Sequence, residues 1–234
     1  MLISVHMPKT AGSSFQATLA AHYGDALKLR YEDKPLHRSA WSRNFDASVS
    51  SLRNRGAKSS DGELSCIHGH FLPLNYRFAK PQTNMRFVTW LRDPVQRLVS
   101  HYHYWKRSYQ PGQSGPLHQR MIEEDWTLEE FVRCKELRNI YSIFLWGFPL
   151  ERFAFIGITE HFTSELEDFG RLILQATAVQ KELNRNPDLD IERDDSDYVV
   201  SEPLRSAIET VHAKDIALYK RAIAMRTQRL KEAR

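Results

Sequence analysis

Cysteine is scarce in this chain. Cys66 and Cys134 are the two present in 234 residues, too few for a disulfide framework and too far apart for a zinc site. No apolar run approaches the roughly 20 residues that a membrane helix needs. Internal repeats, low-complexity tracts and Lys/Arg blocks are lacking, as are C-x-x-C pairs and RNP-like aromatic motifs, so nucleic acid is not an expected partner. The chain opens directly on a strand-like segment, Leu2-Ile3-Ser4-Val5. From that, no signal peptide is expected, and a reducing, cytoplasmic compartment follows unless an anchor has been removed. What is present is a 41% hydrophobic and 11% aromatic composition, which excludes a disordered chain. The length suits a single domain over residues 1–234.

The net charge of +4, from 33 Lys+Arg against 29 Asp+Glu, conceals a division. Residues 1–120 carry 17 basic and 7 acidic side chains, whereas residues 121–234 carry 16 and 22. Anion-binding capacity is therefore concentrated in the N-terminal half.

Short apolar runs at 2–6, 64–68, 86–91 and 153–158 read as buried parallel strands, and three of them lead into helix signals. Ser13 to His22 places Phe15 and Leu19 on one face. Asp93-Pro94 is an N-cap followed by proline at the first helical position, continued by Leu98, Tyr102 and Trp105. Thr159 is expected to cap a helix running to about Leu174. Residues 23–60 read as irregular, 117–150 as helical, 186–197 as an acidic loop, and 202–229 as one amphipathic helix forming a C-terminal extension. The expected fold class is α/β: a P-loop-like parallel sheet flanked by helices, with a helical C-terminal extension.

Two strand-to-helix crossovers carry the chemistry. The first is Val5-His6-Met7-Pro8-Lys9-Thr10-Ala11-Gly12-Ser13-Ser14-Phe15. A loop of small residues entering a helix turns several N–H groups toward one point, where the helix dipole favours an anion. Lys9 adds a full charge, Thr10, Ser13 and Ser14 add hydroxyls, and Gly12 permits close backbone approach. The order is not that of a Walker A loop, because Lys9-Thr10 precede Gly12 and Ser13-Ser14 follow it. The second crossover, Thr89 to Tyr102, puts Arg92 at a strand's C-terminal end, where ligands bind in open α/β sheets. Its planar fork suits a phosphate, and Ser100 could donate to the same group. Taken singly, Arg92 and Arg97 read as surface ion pairs. Two anion sites at strand ends of one sheet suit a bis-phosphorylated nucleotide.

On these residues the chain resembles the 3′-phosphoadenosine 5′-phosphosulfate (PAPS) dependent sulfotransferases, and within them the carbohydrate branch that contains the uronyl 2-O-sulfotransferases. Pro8-Lys9-Thr10-Ala11-Gly12-Ser13-Ser14-Phe15 is similar to the family's 5′-phosphosulfate loop. Arg92-Asp93-Pro94-x-x-Arg97-Leu98-Val99-Ser100-x-Tyr102 is similar to its 3′-phosphate motif. His68-Gly69-His70-Phe71 and Gly157-Ile158-Thr159-Glu160 extend the likeness. The resemblance implies PAPS as donor and PAP as product, with no metal required. Lys9, Thr10, Ala11, Gly12, Ser13 and Ser14 would then lie on the 5′-phosphosulfate, and Arg92 and Ser100 on the 3′-phosphate. Leu183-Asn184-Arg185 falls where relatives close a loop over the nucleotide. With an anchor removed, the Golgi lumen would replace the cytoplasm as the location.

Sulfuryl transfer to an alcohol needs an in-line nucleophile, a base, and charge stabilisation on the departing oxygen. Lys9 is the expected stabiliser. Imidazole suits a base near neutral pH, and His70 is assigned that role by its resemblance to the second histidine of the His-Gly-His segment, with His68 as an accessory that orients acceptor or base. No third ligand accompanies this pair, so no metal is expected there. His6 reads as structural. The expected acceptor is a carbohydrate hydroxyl, in an acidic polysaccharide drawn by Arg30, Lys34, Arg38, Arg43, Arg53, Arg55 and Lys58. Tyr102, Tyr104 and Trp105 read either as sugar-stacking groups or as core, and an oligomer remains open. Three rivals stand beside this reading: a sulfotransferase for protein tyrosine or a small hydroxylated metabolite, a P-loop kinase, and a non-enzymatic heparin- or nucleic-acid-binding module.

Overall fold

The computed structural model describes residues 1–56, 66–78, 85–176 and 198–232. Five parallel strands form one sheet in the order β2-β3-β1-β4-β5. They are β1 (Leu2–Val5), β2 (Leu27–Arg30), β3 (Cys66–Gly69), β4 (Arg86–Leu91) and β5 (Phe153–Ile158). Side chains alternate across the sheet, as period 2 requires. Ile3, Val5, Phe87 and Leu91 face one core together with Tyr141, Phe144 and Ile158. Leu2, Val88, Trp90 and Phe155 face the other with Phe15, Leu19 and Phe169. Both sheet faces are thus covered, which explains why β1, β3 and β4 read as apolar runs.

The register decides where the site forms. Val5 pairs with Gly69 on one side and with Thr89 on the other, so β1 and β3 end level, β4 runs two residues further to Leu91, and His6, His70 and Arg92 follow the strands at the same end of the sheet. The connection leaving β1 runs to β2 on one flank, while the one leaving β4 runs to β5 on the opposite flank. Their divergence opens the crevice in which ligands of such sheets bind. β2 pairs with β3 through Arg30 and Gly69. A Cβ on Gly69 would lie 1.8 Å from the Arg30 carbonyl oxygen, so glycine is what lets the two strands approach there.

Helix α1 (Gly12–Tyr23) follows β1, and α2 (Ala40–Arg53) precedes β3. After β4 comes α3 (Pro94–Ser108), capped by Asp93, whose Oδ1 accepts from Val95 N at 2.7 Å and Gln96 N at 3.1 Å. The helical stretch expected over 117–150 is three short helices: α4 (Pro116–Glu123), α5 (Leu128–Arg133) and α6 (Ile140–Phe144). Beyond β5, Thr159–His161 form a 3-10 turn before α7 (Phe162–Phe169). Thr159 therefore does not cap the helix.

Two further expectations are corrected. β2 arises within the stretch read as irregular, because Leu27-Lys28-Leu29-Arg30 lies at a sheet edge with one neighbour and carries too little apolar signal of its own. The single C-terminal helix is two, α8 (Glu202–Val211) and α9 (Ala213–Glu232), broken at His212. The break turns α9 onto the sheet, where Leu218, Tyr219, Ile223 and Met225 pack against the first core. Glu165 of α7, fully buried, pairs there with Arg226 and Arg229. No helix among the described residues is long and apolar enough to cross a membrane. Lys58, the 183–185 segment and the acidic loop over 186–197 lie outside the described residues.

Candidate active site

Lys9 and Ala11 both adopt left-handed backbone conformations, with φ of 66° and 59°. Non-glycine residues reach that region at a cost that the surrounding loop must offset. Part of the offset is Thr10, whose hydroxyl donates to the Met7 carbonyl at 2.9 Å. Thr10 is 1% exposed. The side chain thus closes the loop from within, and Thr10 is not among the residues lining the cavity described next. Ala11 stands at the N-cap of α1 and offers no side-chain cap, so the positive end of the helix dipole is turned toward the crevice.

The cavity in that crevice has a volume of about 190 Å³. Its floor is Ala11, Gly12, Ser13 and Ser14, and Lys9 and Pro8 form one wall. Arg92 and Ser100 enter from the β4–α3 side, and Thr159 from the β5 side. The two crossovers, some eighty residues apart in the chain, thus meet in one compartment of the size that suits phosphate groups. Ser100 Oγ and Thr159 Oγ1 are buried without a hydrogen-bond partner among the described residues. Orphaned donors aimed into a basic cavity are what an absent anion would satisfy. Thr159 escaped the sequence reading because its position suggested a helix cap.

His70 stands on the wall that this cavity shares with a second, larger cleft of about 630 Å³. Its Nε2 is buried and has no hydrogen-bond partner among the described residues. Burial lowers its pKa to about 4, so the ring is neutral around pH 7 and a nitrogen lone pair is available. His6 lies beside it, ring centroids 4.5 Å apart, and lines the small cavity as well. Tyr31 donates its hydroxyl proton to Gln16 Oε1 at 2.9 Å, so its oxygen accepts from His6 Nδ1 at 3.0 Å. This network assigns the His6 proton to Nδ1. Burial, then the neighbouring His70, His68 and Lys9, hold His6 well below the ordinary histidine range.

His68 is corrected. It is 1% exposed, stacked behind His6 at 5.2 Å and hydrogen-bonded through Nδ1 to Ser4 Oγ at 2.8 Å. It lines neither cavity and adjoins the site through His6 and Tyr31. The surface ion-pair reading of the two arginines is corrected too. Arg92 is 7% exposed and Arg97 fully buried, with no hydrogen-bond partner for any Arg97 side-chain nitrogen among the described residues.

The aromatic question is resolved residue by residue. Tyr102 belongs to the core and donates to the Trp126 carbonyl at 3.0 Å. Tyr104 and Trp105 line the larger cleft. The Lys9 ammonium sits 4.2 Å from the Tyr104 ring centroid, between the two cavities, where a cation–π contact steadies it. Of the basic residues, Lys34 and Arg38 border the cleft, while Arg43 and Arg53 line a neighbouring groove. Arg30 is engaged by Asp33 at 2.9 Å and Arg38 by Asp46. Among the described residues, no three or more His, Cys, Asp or Glu side chains group as metal ligands would.

No protein-family model and no curated protein matches the chain. Among solved structures it is similar to a sulfotransferase from Alicyclobacillus acidocaldarius, at 16% identity over 96% of this chain and 94% of that one, with a TM-score of 0.42. It is also similar to a mouse sulfotransferase complexed with PAP, at 12% identity over 86% of this chain and 67% of that one, with a TM-score of 0.41. Likeness at this level leaves the functional reading to the site itself.

Proposed function

We propose that the chain is a PAPS-dependent O-sulfotransferase with a carbohydrate acceptor. One observation carries the reading: the β1 loop, Arg92 and Ser100 line one cavity beside a histidine whose buried nitrogen has no partner among the described residues. The residues present fit the donor. A basic cavity holds orphaned Ser100 and Thr159 hydroxyls, and its floor is closed so tightly that a Cβ on Gly12 would overlap the His6 ring.

Bound there, PAPS would supply the sulfuryl group and leave as PAP. Ala11 to Ser14 hold the 5′ end through backbone N–H groups and hydroxyls, and the Arg92 fork with Ser100 holds the 3′-phosphate. Lys9 offsets charge developing on the departing oxygen. His70, neutral because it is buried, takes the proton from the acceptor hydroxyl as that oxygen attacks.

The acceptor enters by the 630 Å³ cleft. Tyr104 and Trp105 line it, with Lys34, His37 and Arg38 supplying positive charge on the same cleft, a combination that suits an acidic polysaccharide. A second acceptor class, a protein tyrosine or a small hydroxylated metabolite, is favoured by the mostly apolar wall of the same cleft.

Transfer from labelled PAPS to desulfated polysaccharides, tyrosine peptides and simple phenols separates the two, and no transfer to any glycan would discard the carbohydrate reading. The variant His70→Ala should abolish transfer while leaving PAP binding nearly unchanged, whereas Lys9→Ala and Arg92→Ala should weaken binding as well. Full activity in His70→Ala would remove that histidine from the mechanism.

A further inference from the structure

A set of buried polar groups joins the C-terminal helix to the end of β4, and the mechanism above makes no use of it. Asp215, in the first turn of α9, is fully buried. Its carboxylate accepts from Tyr141 N and Ser142 N, both at 3.0 Å, and from Ser142 Oγ at 3.2 Å. It thereby supplies the cap that α6 lacks, since Asn139 at its N-cap makes no side-chain cap of its own. Tyr141, held in this way and itself fully buried, turns its hydroxyl onto the main chain of Arg92. It accepts from Arg92 N at 3.0 Å and donates to Arg92 O at 2.7 Å.

One turn further along α9, Tyr219 donates to Glu160 Oε2 at 3.0 Å, and Glu160 Oε1 accepts from Asp93 N at 2.6 Å. Two residues on one face of α9 therefore reach two consecutive backbone units, Arg92 and Asp93, each through one intermediary. The fully buried Arg97 guanidinium lies 5.8 Å from the Tyr141 ring, and its positive charge favours the Asp215 carboxylate against the burial that raises its pKa.

We infer that α9 is a positioning element of the anion site, and that Asp215 and Tyr219 act through Tyr141 and Glu160 to set the backbone from which Arg92 addresses the 3′-phosphate. The inference rests on the donor reading above. Its physical basis is the narrow tolerance of a bidentate contact: a planar fork must leave its backbone within about 0.5 Å and 10–20° of the productive geometry. A hydroxyl that clamps both the N–H and the carbonyl of one residue removes the peptide rotation that would otherwise swing the fork. Asp215 and Tyr219 touch no ligand, so a loss on their removal should fall on the 3′-phosphate alone.

The test uses the full chain and two single-atom deletions, Tyr141→Phe and Tyr219→Phe, with dissociation constants measured by calorimetry for PAP and for adenosine 5′-phosphate, which lacks the 3′-phosphate. Wild type should prefer PAP. Each variant should lose about tenfold in PAP affinity, equivalent to ~1.4 kcal/mol, and less than about twofold in adenosine 5′-phosphate affinity. An equal loss for both ligands, or no loss for PAP, would overturn the inference. A wild type without preference for PAP would overturn the donor reading and this inference with it. Should Tyr141→Phe fail to fold, Tyr219→Phe, which lies nearer the surface, decides the matter.

Discussion

Alanine at position 12 should destabilise this protein, although a glycine-to-alanine change at a helical position ordinarily stabilises by up to about 1 kcal/mol. The Cβ of Gly12→Ala would lie 1.6 Å from His6 Nε2, 2.0 Å from Cε1 and 2.2 Å from Cδ2, so either the ring or the loop must shift. The ring has little room. Its Nδ1 is bonded to Tyr31 at 3.0 Å, and His70 and His68 flank it at centroid distances of 4.5 and 5.2 Å. Displacing it forfeits a hydrogen bond of roughly 1 kcal/mol, and forcing a methyl group into a packed site costs about 1–3 kcal/mol. Set against the helical gain, the net loss is about 1–3 kcal/mol, or roughly 5 °C in melting temperature for a chain of this size. Thermal unfolding followed by circular dichroism measures it. A double-mutant cycle gives the sharper check. His6→Ala vacates the space that the methyl needs, so the second substitution should cost little in that background, with a coupling of at least about 1 kcal/mol. Melting of Gly12→Ala at or above wild type, or strictly additive effects in the cycle, would refute the steric argument.

Acid should unfold the protein early. Burial lowers the pKa of His68 to about 3, and those of His70 and His212 to about 4. With folded-state values below the ordinary histidine value, the unfolded chain binds protons first as pH falls. The stability is therefore fully present above about pH 6.5 and is lost progressively toward pH 4. Three such groups give a limiting slope of about 4 kcal/mol per pH unit, and urea midpoints compared at pH 7.5 and 5.5 should fall clearly; an unchanged midpoint would contradict the histidine assignments. Glu165→Ala should cost about 3 kcal/mol by stranding the partly buried Arg226 and Arg229. Denaturant unfolding would read this, and a loss below about 1 kcal/mol would mean that the pair contributes little to holding α9 on α7.

Where structure follows from local chemistry, the sequence was legible. The apolar runs at β4 and β5 were found with their observed bounds, and β1 to within one residue, because a strand covered on both faces can hardly avoid being continuously apolar. Asp93-Pro94 announced the start of α3, since an N-cap acceptor and a proline need only the residues that follow them. The loop from Pro8 to Ser14 and the Arg92/Ser100 pair stood out through residue type and order, and residues of both line one cavity. The edge strand β2 was not legible, as its alternation is brief and its stability comes from pairing with β3. Nor was the break at His212, which is held by partners distant in sequence: its Nδ1 accepts from Asn139 N at 3.4 Å, and Nε2 lies 3.3 Å from the Val132 carbonyl.

By itself, then, the sequence determined the fold class and the two strand-to-helix loops on which the proposed anion site is built. Tertiary structure decided which way each side chain faces. It turned Thr10 inward, placed His68 behind His6, brought Thr159 to the small cavity, and gave Tyr104 and Trp105 a place on the larger cleft that Tyr102 does not share. It also tied α9 to the backbone of Arg92. The reason is physical: residue type and spacing encode what a short segment can form, whereas burial and hydrogen-bond partnership depend on groups brought together across tens of residues by the packing of the sheet.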